Sequence, residues 1–356
     1  MPWMSARLLG GVRTAYWRVL GSLRESEPPI ECRCFYVCCS EGMVRMRRTL
    51  AVLILALSSV MVTSVSVSAA PPPTRIIIDT DFGQWWDDVA ALAAAHAAAD
   101  HGRARILGIV SDVDNEWNAP ALDALNTWYG RPDIPIGVTA GAVSVPQNYS
   151  RMLAERFSHS GGTEDAVTLY RRLLRGQPDH SVTVVSVGAL TALAQLVRTD
   201  RALVARKVAR TVIMGGEYPR ASVPEWNFGL DLTATRRVVA DWPTPVVYGG
   251  FEIGVRVFVG NNVCASHPVD SPVRAAFDLI YTCDNDQADG TWDPTALYYA
   301  LYGTDQVYRL AGHGGHNVVT PDGLNFWARH GNRQQYLVLT DADGLSRKLD
   351  ALIDAH

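Results

Sequence analysis

Lysine is almost missing from this 356-residue chain, which contains only Lys207 and Lys348. Of its 32 Lys and Arg and 36 Asp and Glu, eight Arg and four Glu fall in residues 1–48. The remainder carries 24 basic and 32 acidic side chains, a balance of −8. No basic footprint is left to meet a phosphate backbone, so a nucleic-acid polymer is excluded as partner. Cysteine is scarce as well: beyond residue 39 only Cys264 and Cys283 occur. An even pair in an exported chain reads either as one disulfide or as two thiols packed apart. Residues 74–356 have no Pro-, Gly- or Ser-rich linker and no internal repeat, so nothing divides them into smaller domains.

The one long uncharged run lies near the N-terminus. Val44-Arg45-Met46-Arg47-Arg48 leads into Thr49–Ala70, which carries no charge and ends in Val67-Ser68-Ala69-Ala70. A basic segment, an apolar segment and small residues make a secretory signal peptide over 43–70, cleaved near Ala69–Ala70. The run is long enough for a membrane anchor. Ser and Thr dilute its second half, however, and Pro71-Pro72-Pro73 follows, which favours cleavage and a secreted or periplasmic protein. The membrane is then touched only through this segment. Residues 1–42 hold Cys32, Cys34, Cys38 and Cys39 without a sustained hydrophobic period. A zinc reading lacks a His or a second Cys-x-x-Cys, and an extension upstream of a true start at Met43 or Met46 accounts for them better.

With 48% hydrophobic and 19% charged residues, the chain can bury a sizeable core. From residue 74 short apolar runs alternate with helical periods. Strands are expected at 75–79, 104–112, 135–138, 182–187, 210–215 and 245–249. Helices are expected at 87–101, 120–129, 165–175, 190–199, 231–241, 271–281, 293–302 and 346–355. Near-continuous apolar strands separated by helices predict one α/β domain, an open, mostly parallel, Rossmann-like sheet with helices on both faces. In such sheets ligands lie beyond the carboxyl ends of the strands. Attention therefore falls on Asp79 and Asp81, on the segment after 182–187, on Met214-Gly215-Gly216, on Glu225-Trp226-Asn227 and on Trp292-Asp293-Pro294.

The most informative stretch is Ile76-Ile77-Ile78-Asp79-Thr80-Asp81-Phe82-Gly83, followed by Asp87-Asp88 at the start of an alanine-rich helical pattern. Four carboxylates at a strand-to-helix switch repel one another unless a positive charge sits among them. A hard divalent cation takes oxygen ligands of this kind. Helix capping explains Asp87 or Asp88 but not all four acids.

These segments, in this order, resemble the inosine–uridine-preferring nucleoside hydrolase family. That family's opening Asp-x-Asp-Pro-Gly-x-Asp-Asp is similar to Asp79-Thr80-Asp81-Phe82-Gly83 with Asp87-Asp88. Its Gly-x-Leu-Thr-Asn-Leu-Ala resembles Gly188 to Ala194, its Met-Gly-Gly and Glu-Phe-Asn resemble Met214-Gly215-Gly216 and Glu225-Trp226-Asn227, and its His-Asp-Pro resembles Trp292-Asp293-Pro294. The resemblance covers about residues 75–300. It implies Ca²⁺ held by Asp81, Asp88, Asp293 and the backbone carbonyl of Val187. It implies hydrolysis of a nucleoside N-glycosidic bond by a calcium-bound water, with Asp81 as base, giving free base and ribose. Asp87, Met214, Glu225, Asn227 and Trp292 would contact the small-molecule nucleoside, and Asp79 would support Asp81 from behind. Glu225 and Asn227, two apart, would point to one side if the segment is extended. The family's homodimers and homotetramers are the implied assemblies.

The chain departs from the pattern at several points. Phe82 replaces Pro, two residues are added around Trp85-Trp86, Ala192 replaces Asn, and Pro219 falls where an Asn contacts ribose. With Arg and Ala favoured over Lys, these departures indicate a divergent, exported bacterial branch. Trp292 replaces the His that protonates the leaving base in many members. A purine base stacked on Trp292 with Trp85, Trp86 or Trp117 is the implied substitute, and Trp85 or Trp86 packed against the sheet rim is the alternative. His313, in Gly312-His313-Gly314-Gly315-His316, offers either a general acid or a plain turn. Asn115, in Ser111-Asp112-Val113-Asp114-Asn115, is expected to line the pocket, and His96 to be structural. Two other functions fit parts of the pattern. A haloacid-dehalogenase-like phosphatase also carries Asp-x-Asp after a first strand, and a secreted nucleoside- or sugar-binding protein could keep the calcium site with little turnover.

Overall fold

Ile76, Ile77 and Ile78 lie on a strand whose alternate side chains feed two separate cores. Ile76 and Ile78 enter one core and Ile77 the other, as the two-residue period of a strand requires. A computed structural model describes residues 71–283, 289–331 and 333–355. The leader and signal segments, residues 1–70, lie outside the described residues.

Strand β1 (Thr74–Thr80) runs into α1 (Trp86–Asp100), then β2 (Ala104–Val113), α2 (Asn118–Trp128), β3 (Ile136–Val143), α3 (Ser150–Arg156), β4 (Thr163–Asp165) and α4 (Ala166–Arg175). The second half continues through β5 (Val182–Ser186), α5 (Thr191–Lys207), β6 (Val208–Met214), α6 (Trp226–Leu230), α7 (Leu232–Asp241), β7 (Val246–Gly249) and α8 (Phe251–Gly254). Next come β8 (Phe258–Val259), α9 (Val263–Ser266), α10 (Pro272–Tyr281), β9 (Asp289–Gly290) and α11 (Asp293–Tyr302). The last elements are β10 (Tyr308–Ala311), β11 (Gly315–Val319), β12 (Asn325–Arg329), β13 (Gln334–Leu339) and α12 (Ala342–Ile353).

Nine strands form the main sheet in the order β10-β13-β7-β6-β5-β1-β2-β3-β4, parallel throughout except for the β10–β13 pair. Helices cover both faces: α1, α10, α11 and α12 pack on one side, and α4, α5 and α7 on the other. The expected single-domain, open, mostly parallel α/β fold is the observed one. Alanine explains the close packing of α1, in which 13 of 15 residues are buried, because small side chains bring the helix against both sheet and neighbours. His96 is buried in it, bonded to Asn126 (3.1 Å) and stacked on Tyr129. Burial and the Arg131 charge push its pKa down to about 3, so it stays neutral. Among the described residues no helix is long and apolar enough to cross a membrane.

Three differences from the sequence expectation have physical causes. Helix α5 runs on to Lys207 through a kink at Asp200 (φ −149°, ψ 56°), whose carboxylate takes Arg171 and Arg175. Residues 303–341, given no element in the sequence reading, supply β10 to β13; these strands are short, and β13 takes its register from β7, distant in sequence. Glu225 and Asn227 are not on an extended segment, because Glu225 caps α6 and Asn227 lies in its first turn.

Cys264 and Cys283 form a disulfide with Cα atoms 5.6 Å apart, tying α9 to the end of α10 across 19 residues. Replacing both by Ser should lower unfolding free energy by about 3 kcal/mol in the chain-entropy account. Urea denaturation of the two proteins without reductant measures this, and equal midpoints would contradict it.

Candidate active site

Strands β1, β2, β5, β6 and β7 all end on one edge of the sheet. From β1 the chain builds outward through β2, β3 and β4, then crosses to β5 and builds the other way through β6 and β7. The crevice between the ends of β1 and β5 is therefore the switch point where open α/β sheets hold ligands. Asp79, Thr80 and Asp81 leave β1 there, and Val187 follows β5, its N–H donating to the Asp79 carbonyl at 2.8 Å. Gly188 comes so close that a Cβ would lie 2.5 Å from the Asp81 nitrogen; a side chain has no room there.

The turn after Asp81 is built from the residues that depart from the family pattern. Phe82 is fully buried and meets the Tyr149 ring edge-on at 5.1 Å. Gly83 adopts φ +123°, and its N–H donates to the Tyr149 hydroxyl (2.9 Å), which donates to the Trp85 carbonyl (2.8 Å). Trp86 drops into the core against Phe277, its indole bonded to the Val273 carbonyl at 3.2 Å. Trp85 is 45% exposed. The expansion thus places one tryptophan in the core and one at the surface.

Asp87 and Asp88 begin α1, and Asp293 begins α11. The Thr80 hydroxyl donates to Asp88. Asp87 Oδ2 accepts the backbone N–H groups of Trp292 (3.1 Å) and Asp293 (3.4 Å), joining the two helix starts. Carboxylate oxygens of Asp81, Asp88 and Asp293 all lie within 4.8 Å of one another, and all three residues are buried. Among the described residues no Lys, Arg or His forms an ion pair with any of the three. Desolvation, then the Asp87 charge, raises Asp81 to about 7, while an indole hydrogen bond from Trp226 opposes the rise. Burial, with neighbouring carboxylates second, pushes Asp88 and Asp293 well above the usual range. Three buried carboxylates this close, with no cation beside them, are the donor set a hard divalent ion completes.

Other predicted residues sit around this triad. The Val187 carbonyl accepts from Asn227 Nδ2 at 2.9 Å, and the same amide nitrogen reaches Met214 O (3.3 Å) and Sδ (3.0 Å). Val187, Met214 and Asn227 are therefore one connected group. Glu225 accepts from the N–H groups of Gly216 (2.9 Å), Asn227 (3.0 Å) and Phe228 (3.1 Å). Burial raises its pKa, and these amides oppose the rise. Trp292 stacks on Phe251 (5.6 Å, 20°), with its indole donating to the Phe251 carbonyl at 3.0 Å. Two candidates are bound elsewhere. Asn115 accepts from the Trp117 N–H at the start of α2, and His313 is exposed on the β10–β11 turn against Gln335.

Sequence reasoning placed Asp112 and Trp226 inside quoted segments without giving either a role, and it missed Tyr170. Asp112 ends an apolar strand just as Asp79 does, which was the available signal. The two acids are fully buried and face each other; desolvation followed by the Asp79 charge pushes Asp112 well up, and desolvation raises Asp79 to about 6. Tyr170 of α4 donates to Asp79 Oδ2 at 2.7 Å, a contact between residues 91 apart that no local pattern carries. Trp226 is 49% exposed.

Fold and site together define an α/β protein whose acidic centre, suited to a divalent cation, lies at the sheet's switch point. A profile of the inosine-uridine preferring nucleoside hydrolase family matches residues 76–340, and the chain belongs to that family. It is a glycosidic-bond hydrolase acting on nucleosides, which rules out the phosphatase alternative. Similar solved structures include a plant nucleoside hydrolase (19% identity, 80% of this chain and 98% of that one, TM-score 0.61). A purine-preferring ribonucleoside hydrolase from Gardnerella vaginalis shares 15% identity over 79% of this chain and 98% of its own, with TM-score 0.63. An inosine–uridine preferring nucleoside hydrolase from Bacillus anthracis shares 14% over 79% and 99%, also with TM-score 0.63. At these identities the likeness is one of fold. No match was found among curated protein sequences.

Raised carboxyl pKa values set the pH dependence of the metal-free protein. The folded state holds protons that the unfolded state has released, so stability is full below pH about 4 and falls as pH rises through about 7, where Asp81 titrates. Thermal unfolding in chelator should therefore give a higher midpoint at pH 5.5 than at pH 7.5, and added Ca²⁺ should raise the pH 7.5 midpoint. A midpoint indifferent to both would contradict the account of the triad.

Proposed function

We propose that this protein is an exported, Ca²⁺-dependent hydrolase of purine ribonucleosides. The carrying observation is the buried Asp81–Asp88–Asp293 triad at the β1–β5 switch point. Asp81, Asp88, Asp293 and the Val187 carbonyl would hold the ion, all through oxygen, as Ca²⁺ prefers. When bound, that ion would position a water and lower its pKa. Asp81 is the proton acceptor: its carboxyl lies in the triad, and its pKa falls once a cation offsets its neighbours. Asp87, Glu225 and Asn227 hold sugar hydroxyls, and Asp79, bonded to Tyr170, fixes the end of β1. Glu225 suits this role because three backbone N–H groups stabilise its ionised, accepting form. The purine preference is supported by the Phe251–Trp292 stack, which is seated at the start of α11 directly before Asp293.

Residues 1–42 form an upstream extension, 43–70 a signal peptide cleaved near Ala69–Ala70, and 74–356 the catalytic domain. Export is supported by the basic and apolar segments at 45–70 and by the Cys264–Cys283 disulfide, a bond kept in oxidising compartments.

Inosine, adenosine, uridine and nicotinamide riboside, assayed with and without chelator, test the reading. Free ribose should appear from the purine nucleosides first and vanish when Ca²⁺ is removed. Asp81→Asn should fold normally and lose several orders of magnitude in turnover; a mild loss would exclude Asp81 as base. Trp292→Ala should slow purine nucleosides more than p-nitrophenyl riboside, whose leaving group departs unprotonated, and equal losses would argue against stacking.

A further inference from the structure

In many nucleoside hydrolases a histidine protonates the departing base; here that position is Trp292, and His313 sits against Gln335. The carboxyl edge of β7 offers another proton donor. Gly249-Gly250 ends that strand, and Phe251 N–H donates to the Gly216 carbonyl at 2.8 Å, so α8 starts against the Gly215-Gly216 turn. Two carboxyls meet this turn. Glu225 Oε2 accepts the Gly216 N–H at 2.9 Å, and Glu252 Oε2 accepts the Tyr218 N–H at 3.0 Å. The Glu252 side chain folds back over Gly250, where a Cβ would lie 2.3 Å from Oε2. Phe251, the residue before Glu252, carries the ring on which Trp292 stacks, and a Cβ on Gly254 would strike the Trp292 ring at 2.3 Å. The half-buried Glu252 carboxyl thus shares the 216–218 turn with Glu225, the group proposed to hold the sugar, and the residue before it carries one ring of the aromatic pair proposed to hold the base.

We propose that Glu252 is the general acid that protonates the leaving purine. This rests on the hydrolase reading and adds a residue to it. As the C1′–N9 bond breaks, its electron pair moves onto the purine, and the Glu252 carboxyl proton passes to a purine ring nitrogen. Water adds its hydroxyl to C1′ and gives its proton to Asp81; Asp81 then releases that proton to solvent and solvent returns one to Glu252, which restores both carboxyls. The environment keeps the proton in place before reaction. Desolvation, with the charges of Glu217 and Glu225 adding to it, raises Glu252 to about 7 against the pull of the Tyr218 N–H. At neutral pH a carboxyl of that kind is part protonated, the condition for general-acid work.

Glu252→Gln keeps an acceptor for the Tyr218 N–H and removes the proton. With inosine, kcat should fall about 10²- to 10⁴-fold, while p-nitrophenyl riboside, which needs no acid, should be turned over within a few-fold of wild type. The wild-type fall in kcat on inosine above pH about 7 should vanish in the variant. Equal losses on both substrates, or full inosine activity, would overturn the assignment while leaving the hydrolase reading intact. A wild-type protein that releases no base from any nucleoside would overturn both.

Discussion

Mutual repulsion among buried carboxylates is the constraint on which this molecule's active edge depends. Asp79, Asp81, Asp88, Asp112 and Asp293 converge within a sheet edge that desolvates all of them. Such a cluster is costly to leave charged and unpaired. Two of these acids take a side-chain hydroxyl: Tyr170 donates to Asp79 and Thr80 to Asp88. Among the described residues no side-chain cation pairs with the central triad. A divalent cation would release its strain, so affinity for the ion and destabilisation of the empty site would be two aspects of one arrangement.

Around the triad the framework is rigid where it must be and variable where it can be. Gly188 and the β1–β5 pairing fix the floor, and both admit little change. The turn over residues 82–85 is different, because its backbone is satisfied by Tyr149, the residue that leads into α3, outside the central sheet. A turn braced from outside tolerates a Phe for a Pro and two extra residues. The acids keep their places while the loop between them lengthens.

How much of this was legible follows from the range of each interaction. β1, α1 and the acids between them could be read directly, since periodicity and local spacing specify them. So could the rim that carries the site, because the order of strands and helices implies a parallel sheet; the switch point came only with the strand order. The Cys264–Cys283 bond was open from composition and is settled by a Cα separation. Tyr170 and Glu252 were not legible, since their partners lie 91 and 34 residues away and are reached only through the fold. The tryptophan pair shows the same limit in small form: Trp85 and Trp86 are adjacent and identical, yet one is in solvent and the other in the core. Their difference is set by Tyr149, Phe277 and Val273, none of them local.

The Asp87 bridge between α1 and α11 has an electrostatic consequence. Both helices present their first turns to the triad, so the positive ends of two macrodipoles, each worth about half an elementary charge, converge on the same few carboxylates. Among the described residues no Lys, Arg or His pairs with the triad, so backbone amides provide the standing positive potential at the centre. That potential has no pKa and no flexible stem.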